Sequence, residues 1–576
     1  MPSTRASSAA GSRKVAPADP FPGRCSGVLL HVTSLPSNHG IGDVGPTAIR
    51  FVDWLSAAGQ SIWQFLPLNP HGYAGSPYGT PSAMAANPAI VSLEPLIEEG
   101  LLTAVDVKEL ETLPRGKVDY DRVTPLKRQA LRLARDRFRS TTSPFPKHHE
   151  WLGKLEQFIA NEGAAWLNDY ALFAALHEKH NACWIDWPAE LRDRKPAALA
   201  KAQEELYDEI DEHIFTQFLF DMQWAQVRRH AKEKGVRLVG DIPIFVAYDS
   251  ADVWSHRKLF KLDAQGKQTV QAGVPPDYFS ETGQLWGNPV YDWAAIATEG
   301  YKWWTLRFSR TLALADIIRI DHFRGFEAAW EVPASHKTAM NGTWVKGPGA
   351  KVFRAVDKAL GYRTPVIAED LGLITQSVHD LRDELGYPGM KVLQFAWGGD
   401  SYDATNDHLP HNLKTSRCVY YTGTHDNDTV RGWADSATDA QRAAVLRYLG
   451  RDASKSAVAD GKRKREEDGD AASAIPAAKK PDNTTANGPS SLTEKAVTNA
   501  IPTVSWDFIH LALASVADIA IVQLQDVLDL GTEARMNTPA TADGNWSWRV
   551  DEAAVTKEIG EKLRGVTEVF GRVREV

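Results

Sequence analysis

Cysteine is nearly absent. The only three residues, Cys25, Cys183 and Cys418, are far apart and form no metal-ligand spacing, so reduced thiols in an intracellular compartment are expected rather than a disulfide framework. No uninterrupted apolar run approaches the length of a membrane span, so no membrane partner is expected. A strong charge bias is missing too: a formal net charge of -8 over 576 residues gives no reason to expect a nucleic-acid partner. No cluster of ligating side chains implies a metal or a cofactor. One glycine-rich string, GIGDVG (Gly40 to Gly45), formally fits the dinucleotide fingerprint. That fingerprint needs its glycines tight between strand and helix and an acid about 20 residues on; here TSLPSNH intervenes and the acid is missing. A loop before a helix, PTAIRFVDWLSA, is the expected structure, and a nicotinamide oxidoreductase is set aside.

Tryptophan, by contrast, is abundant, outnumbering tyrosine 19 to 15. Flat amphipathic rings in such number suit sugar stacking as well as core packing. Buried-strand signals recur along the chain at Gly27 to Val32, Ser61 to Leu68, Val236 to Phe245, Asp316 to Phe323, Thr364 to Leu371, Met390 to Trp397, Cys418 to Asp426 and Ile519 to Leu528. Helical patterns separate them, the longest forming an insert over about 93–234 with amphipathic segments at Asn168 to Lys179 and Ile214 to Lys232. Eight buried strands alternating with helices predict a (β/α)8 barrel with helical insertions, whose chemistry sits beyond the strands' carboxyl ends.

Polar residues gather at those ends. Asp241 comes late in the third strand, where it is expected to contact substrate, Arg319 and Asp321 close the fourth, Glu369 and Asp370 the fifth, and His425 with Asp426 the seventh. In ADIIRIDHFRGF (Ala315 to Phe326), Ile317, Arg319 and Asp321 share one strand face and Ile318 and Ile320 the other. Arg319 and Asp321 therefore point the same way, and a pair at the end of an apolar strand keeps the carboxylate charged. Neighbouring strands lie about 4.8 Å apart. That brings Asp321 and Glu369 near the separation of about 5–5.5 Å that marks a retaining glycosidase, with no room for water between them. With Arg319 favouring the anion on Asp321, Glu369 is the carboxyl expected to hold a proton and act as general acid. Asp426, arriving from a third strand, would stabilise a cationic sugar ring.

The strings GDIPIFVAYDSADVW, GVPPDYFSETGQLWGNP, RIDHFRG, IAEDLG, YTGTHDND and EARMNTPATADGNWSWR resemble those of the amylomaltases, the 4-alpha-glucanotransferase or disproportionating enzyme family. The resemblance covers about 27–450 and 506–549. It implies Asp321 as nucleophile, Glu369 as acid/base and Asp426 as transition-state stabiliser, with Arg319 and His425 contacting the nucleophile and sugar hydroxyls. It also implies a glucan path along Tyr78, Tyr278 and Trp286. The substrates implied are alpha-1,4-glucans and maltooligosaccharides as donor and acceptor, with glucose as a product. Departures from the family pattern include Val32 in place of proline and Ala540 in place of glycine.

Three other stretches stand apart. The segment 1–24 is Ser, Ala and Arg rich with one acid, which fits a short transit peptide into a plastid or a disordered terminus on a cytoplasmic protein. The segment 452–500 is poor in large apolar residues, carries as many acidic as basic side chains and reads as a disordered insert. The active-site insert of about 247–310 contains Gly273 to Pro289, read as a long mobile loop. Its aromatic residues, with amides such as Asn288, would hold an acceptor and shield the reaction from water.

Overall fold

The computed structural model describes residues 21, 23–140, 145–276, 280–398, 402–451 and 503–574. All eight expected strands form, as Cys25–Leu29, Ile62–Gln64, Arg237–Pro243, Ile317–Asp321, Val366–Ala368, Gly389–Val392, Cys418–Tyr421 and Ile519–Gln523. Every pairing among them is parallel, and the first strand lies against both the second and the eighth. At the remaining seam the Ala368 N–H donates to the Pro388 carbonyl at 2.9 Å, drawing the fifth strand onto the sixth. Each strand is shorter than its apolar run, because the run continues into the loop that leaves the barrel.

The two faces of the strands sort as alternation dictates. Ile317, Val239, Ile367, Met390, Val419 and Ile521 fill the barrel interior. Ile318 and Ile320 face outward into a separate core beneath the surrounding helices. Arg319 and Asp321, in phase with Ile317, therefore lie on the interior face near its upper end.

Between the second and third strands runs a set of helices that includes Tyr120–Arg139, His148–Glu162, Asn168–His180 and Tyr207–Glu233. Trp224 of the last packs its ring on Phe65 at 5.2 Å, beside the second strand. Arg135 pairs with Asp211 at 2.7 Å and Arg128 with Glu212 at 2.8 Å, fastening Tyr120–Arg139 to Tyr207–Glu233. GIGDVG is a loop, followed by the helix Pro46–Ala57.

One expectation is corrected. The stretch Gly273 to Pro289 is a β-hairpin, not a free loop: Val270–Val274 pairs antiparallel with Gln284–Pro289. Val270–Val274 also pairs with Ala328–Pro333, and that strand with Thr343–Lys346, giving a second, four-stranded antiparallel sheet. Its own antiparallel pairing and the pairing of Val270–Val274 to Ala328–Pro333 hold the base. Tyr278 lies outside the described residues, as does 452–500.

At the opposite end of the barrel the chain ends are fastened together. The first strand starts at Cys25, whose partner in register is Ile519 of the eighth. Arg572, fully buried, donates to the Cys25 carbonyl at 2.7 Å and to those of Leu513, Ser515 and Ala517. Arg24 adds a bond to Ser515 at 2.9 Å. Two guanidinium groups thus satisfy the carbonyls where the chain turns into the eighth strand.

Candidate active site

Register brings the charged groups together. Asp241 of the third strand lies opposite Arg319 of the fourth. Ile320 lies opposite Ala368, so Asp321 and Glu369 follow side by side where the strands end. Arg319 is the hub. Its Nη1 donates to both Asp241 oxygens, at 2.7 and 2.9 Å, and its Nη2 to Asp321 Oδ1 at 3.0 Å. The side chains of Arg319 and Asp241 are only 4% and 0% exposed, while that of Asp321 is 30% exposed. Desolvation opposes the Arg319 charge, but Asp241 and Asp321 outweigh it and hold the guanidinium well above its ordinary value. Asp241, expected to touch substrate, is sealed beneath the site; the Tyr78 hydroxyl donates to its Oδ2 at 2.7 Å. Desolvation raises its carboxyl, with Arg319 pulling the other way.

Glu369 is half-buried across from this pair. The backbone N–H of His322 donates to its Oε2 at 2.7 Å and that of Leu371 to its Oε1 at 2.7 Å, fixing the plane of the carboxyl. Desolvation, reinforced by the Asp321 carboxylate, pushes Glu369 up to about 8, with Arg319 and the two amides acting against the shift. The residue after it turns away: Asp370 accepts the Met390 N–H at 2.7 Å and pairs with Arg382 at 2.5 Å, binding the fifth strand to the sixth. One acid of the Glu-Asp doublet faces the site and the other closes the barrel.

Asp426 approaches from the seventh strand with its side chain 44% exposed. Asn537 donates to its Oδ1 at 2.6 Å and Arg535 to its main-chain carbonyl at 2.7 Å. His425 is buried beside it, its ring stacked on Tyr78 at 5.2 Å with 14° between planes. Trp546 contacts both rings at 5.7 Å. On the fourth-strand side, Trp286 stands on the hairpin with 37% of its surface exposed and meets the His322 ring edge-on at 4.8 Å. His322 itself sits in the left-handed region at φ 55, strained backbone for a residue with a side chain. Asn288 has its amide directed to the Val246 carbonyl at 2.8 Å, which anchors the hairpin base.

The structure thus gathers Tyr78, Asp241, Arg319, Asp321, Glu369, His425 and Asp426 at the barrel mouth and sets Trp286 at its rim. Asn537, Arg535 and Trp546 were missed as members of the site. All three lie in or beside EARMNTPATADGNWSWR, a string recognised whole with no role given to its residues. Arg319→Met is expected to remove the hub and leave Asp241 as a buried, unpaired carboxylate. The melting transition should fall by an amount equivalent to about 3–5 kcal/mol and turnover by at least about a hundredfold; an unchanged melting curve would refute the hub.

A carboxyl that holds a proton near neutrality, one strand from a carboxylate gripped by arginine, is equipped to break a glycosidic bond in two displacement steps. At the mouth of a (β/α)8 barrel, that places the molecule in the class of carbohydrate-active barrel enzymes. Residues 30–554 match the family model for 4-alpha-glucanotransferase. A 4-alpha-glucanotransferase of Thermus thermophilus is 44% identical, over 96% of this chain and 99% of that protein. A chloroplastic/amyloplastic 4-alpha-glucanotransferase of Solanum tuberosum is 41% identical, over 96% of this chain and 88% of that protein. Among solved structures, an amylomaltase from Streptococcus agalactiae in complex with acarbose superposes with a TM-score of 0.80 at 31% identity, covering 96% of this chain and 100% of that one. The chain belongs to the 4-alpha-glucanotransferase family, as its motifs led one to expect. One departure from the family pattern now has a physical cost: Ala540, standing where glycine is usual, adopts φ 64, a left-handed conformation that disfavours a Cβ.

Proposed function

We propose that this enzyme transfers alpha-1,4-glucan segments between maltooligosaccharides by double displacement, with Asp321 as nucleophile, Glu369 as acid/base and Asp426 as stabiliser of the sugar cation. Glu369 gives its proton to the glycosidic oxygen as that bond breaks, and the Asp321 carboxylate bonds to the anomeric carbon. The departing glucan leaves from the reducing side. A 4-hydroxyl of a second glucan then loses its proton to Glu369 and displaces Asp321, so atoms and charge return to their starting state. The single observation that carries this reading is the raised carboxyl of Glu369 one strand from the arginine-held Asp321. Burial and the Asp241 carboxylate hold the Tyr78 phenol well above its ordinary value, so it remains a donor at working pH and braces Asp241. Tyr78 with Trp546 on the seventh-strand side, and Trp286 on the fourth-strand side, bound a path on which glucose rings stack.

Incubation with maltotriose alone tests the reaction. Transfer gives glucose together with a ladder of maltooligosaccharides longer than the starting trimer. Glucose and maltose in equal amounts, with nothing longer, would make water the acceptor and the chain a hydrolase. The composition of 1–24 and the plastid location in the potato relative's name together support residence in a plastid, where such glucans are stored. No helix among the described residues is long and apolar enough to cross a membrane.

A further inference from the structure

The loop bearing Asp426 leaves the seventh strand at Thr422 and ends at Val430, where the helix Val430–Ser436 begins. Both of its ends are held by one side chain that the chemistry above does not use. Asp526, just beyond the eighth strand, is completely buried. Its Oδ2 accepts the Thr422 hydroxyl at 2.6 Å and its Oδ1 the Val430 N–H at 2.7 Å. Both partners are neutral donors. Burial, with repulsion from Asp428 and Asp529, pushes this carboxyl up to about 7. A desolvated carboxyl without a cation is unfavourable in a core, and an apolar side chain would fill the same volume. What the carboxyl adds is a pair of acceptors facing the two feet of one loop.

The rest of the loop is already constrained in shape. Asn427 Oδ1 accepts from both the backbone N–H and the hydroxyl of Thr424, at 2.9 and 3.0 Å, which folds the tip. Asn537 and Arg535 restrain Asp426 from outside. Gln394 Nε2 also donates to the Asp428 carbonyl at 2.8 Å and the Asn537 N–H to that of His425 at 3.1 Å, so the feet share with these bonds the setting of the tip's height above the barrel. We infer that Asp526 is a positioning residue for Asp426: by tying Thr422 to Val430 it fixes how far the Asp426 carboxylate projects toward the space above Asp321 and Glu369. The inference rests on the reading of Asp426 as transition-state stabiliser. A charge that acts on the sugar cation contributes mainly after substrate has bound, so a misplaced Asp426 lowers kcat while leaving KM nearly unchanged.

Three variants and a control test this on maltotriose. Asp526→Asn keeps both links, since its carbonyl accepts from Val430 and its amide donates to the Thr422 oxygen; kcat stays within about threefold of wild type. Asp526→Leu removes both links, and kcat falls by about thirtyfold or more with KM within about threefold. Thr422→Val removes one link at almost constant volume and gives an intermediate loss of about fivefold, which serves if the leucine variant does not fold. Full kcat in Asp526→Leu, or in Thr422→Val, overturns the inference. So does a parallel fall in the asparagine and leucine variants that follows their loss of folded protein. Asp426→Asn is the control: wild-type turnover there would remove the stabiliser reading and this inference with it. An inactive control beside a fully active Asp526→Leu removes this inference alone.

Discussion

Asp321→Asn folds as the wild type does and loses at least about four orders of magnitude in turnover. The amide preserves volume, and Arg319 keeps its two bonds to Asp241, so the barrel interior is little disturbed. No other carboxylate takes over. Asp241 is sealed beneath Arg319 and Tyr78, Glu369 is held in plane by two amides, and Asp426 is tethered to Asn537. An amide oxygen is a poor nucleophile, so the glucosyl ester does not form. Maltotriose turnover with a melting curve on the same preparation decides the matter. A rate within tenfold of wild type would take the nucleophile's role away from Asp321.

Glu369→Gln is the second large loss, about a thousandfold on maltotriose, and it separates two roles. A glucosyl donor whose leaving group needs no proton, such as the fluoride, recovers most of the first step, because Asp321 and Asp426 remain. The pH dependence follows from the raised carboxyl. Glu369 acts as an acid only while protonated, so wild-type turnover falls as pH rises through about 8. The glutamine variant has no proton to lose there, and its residual rate on the fluoride should cross that range flat. A descending limb that survives unchanged in the variant would assign the titration to another group.

The barrel was legible because its strands are buried on both faces, and such strands leave continuous apolar runs that stand out between helices. Alternation within Ile317–Asp321 alone places Arg319 and Asp321 on the inner face, and the raised Glu369 follows from two acids ending adjacent strands. The small antiparallel sheet was not legible. Ala328–Pro333 and Thr343–Lys346 are short, and the stretch Gly273 to Pro289 beside them is rich in glycine and proline, a composition that reads as loop. Asp241 showed the right residue at the right strand end, but sequence does not reveal that Arg319 lies directly opposite and draws it under cover. Asn537 and Asp526 were hidden for a further reason. Each acts on a partner more than a hundred residues away, Asp426 and Thr422, so no local period marks them.

The fastening of the chain ends also bears on how this molecule comes into being. Arg572 meets the carbonyl of Cys25, a residue 547 positions earlier. At roughly 5–20 residues per second, a ribosome needs on the order of a minute between making the two. For most of that interval the first strand has its second-strand partner but lacks the eighth, and one apolar edge of the nascent sheet stays unpaired. Closure cannot be local or early; it waits for the eighth strand, and contacts so distant in sequence slow the search further. A newly made chain therefore passes through a long open stage in which it needs shelter from its neighbours, whereas in the finished barrel the first strand is paired on both sides.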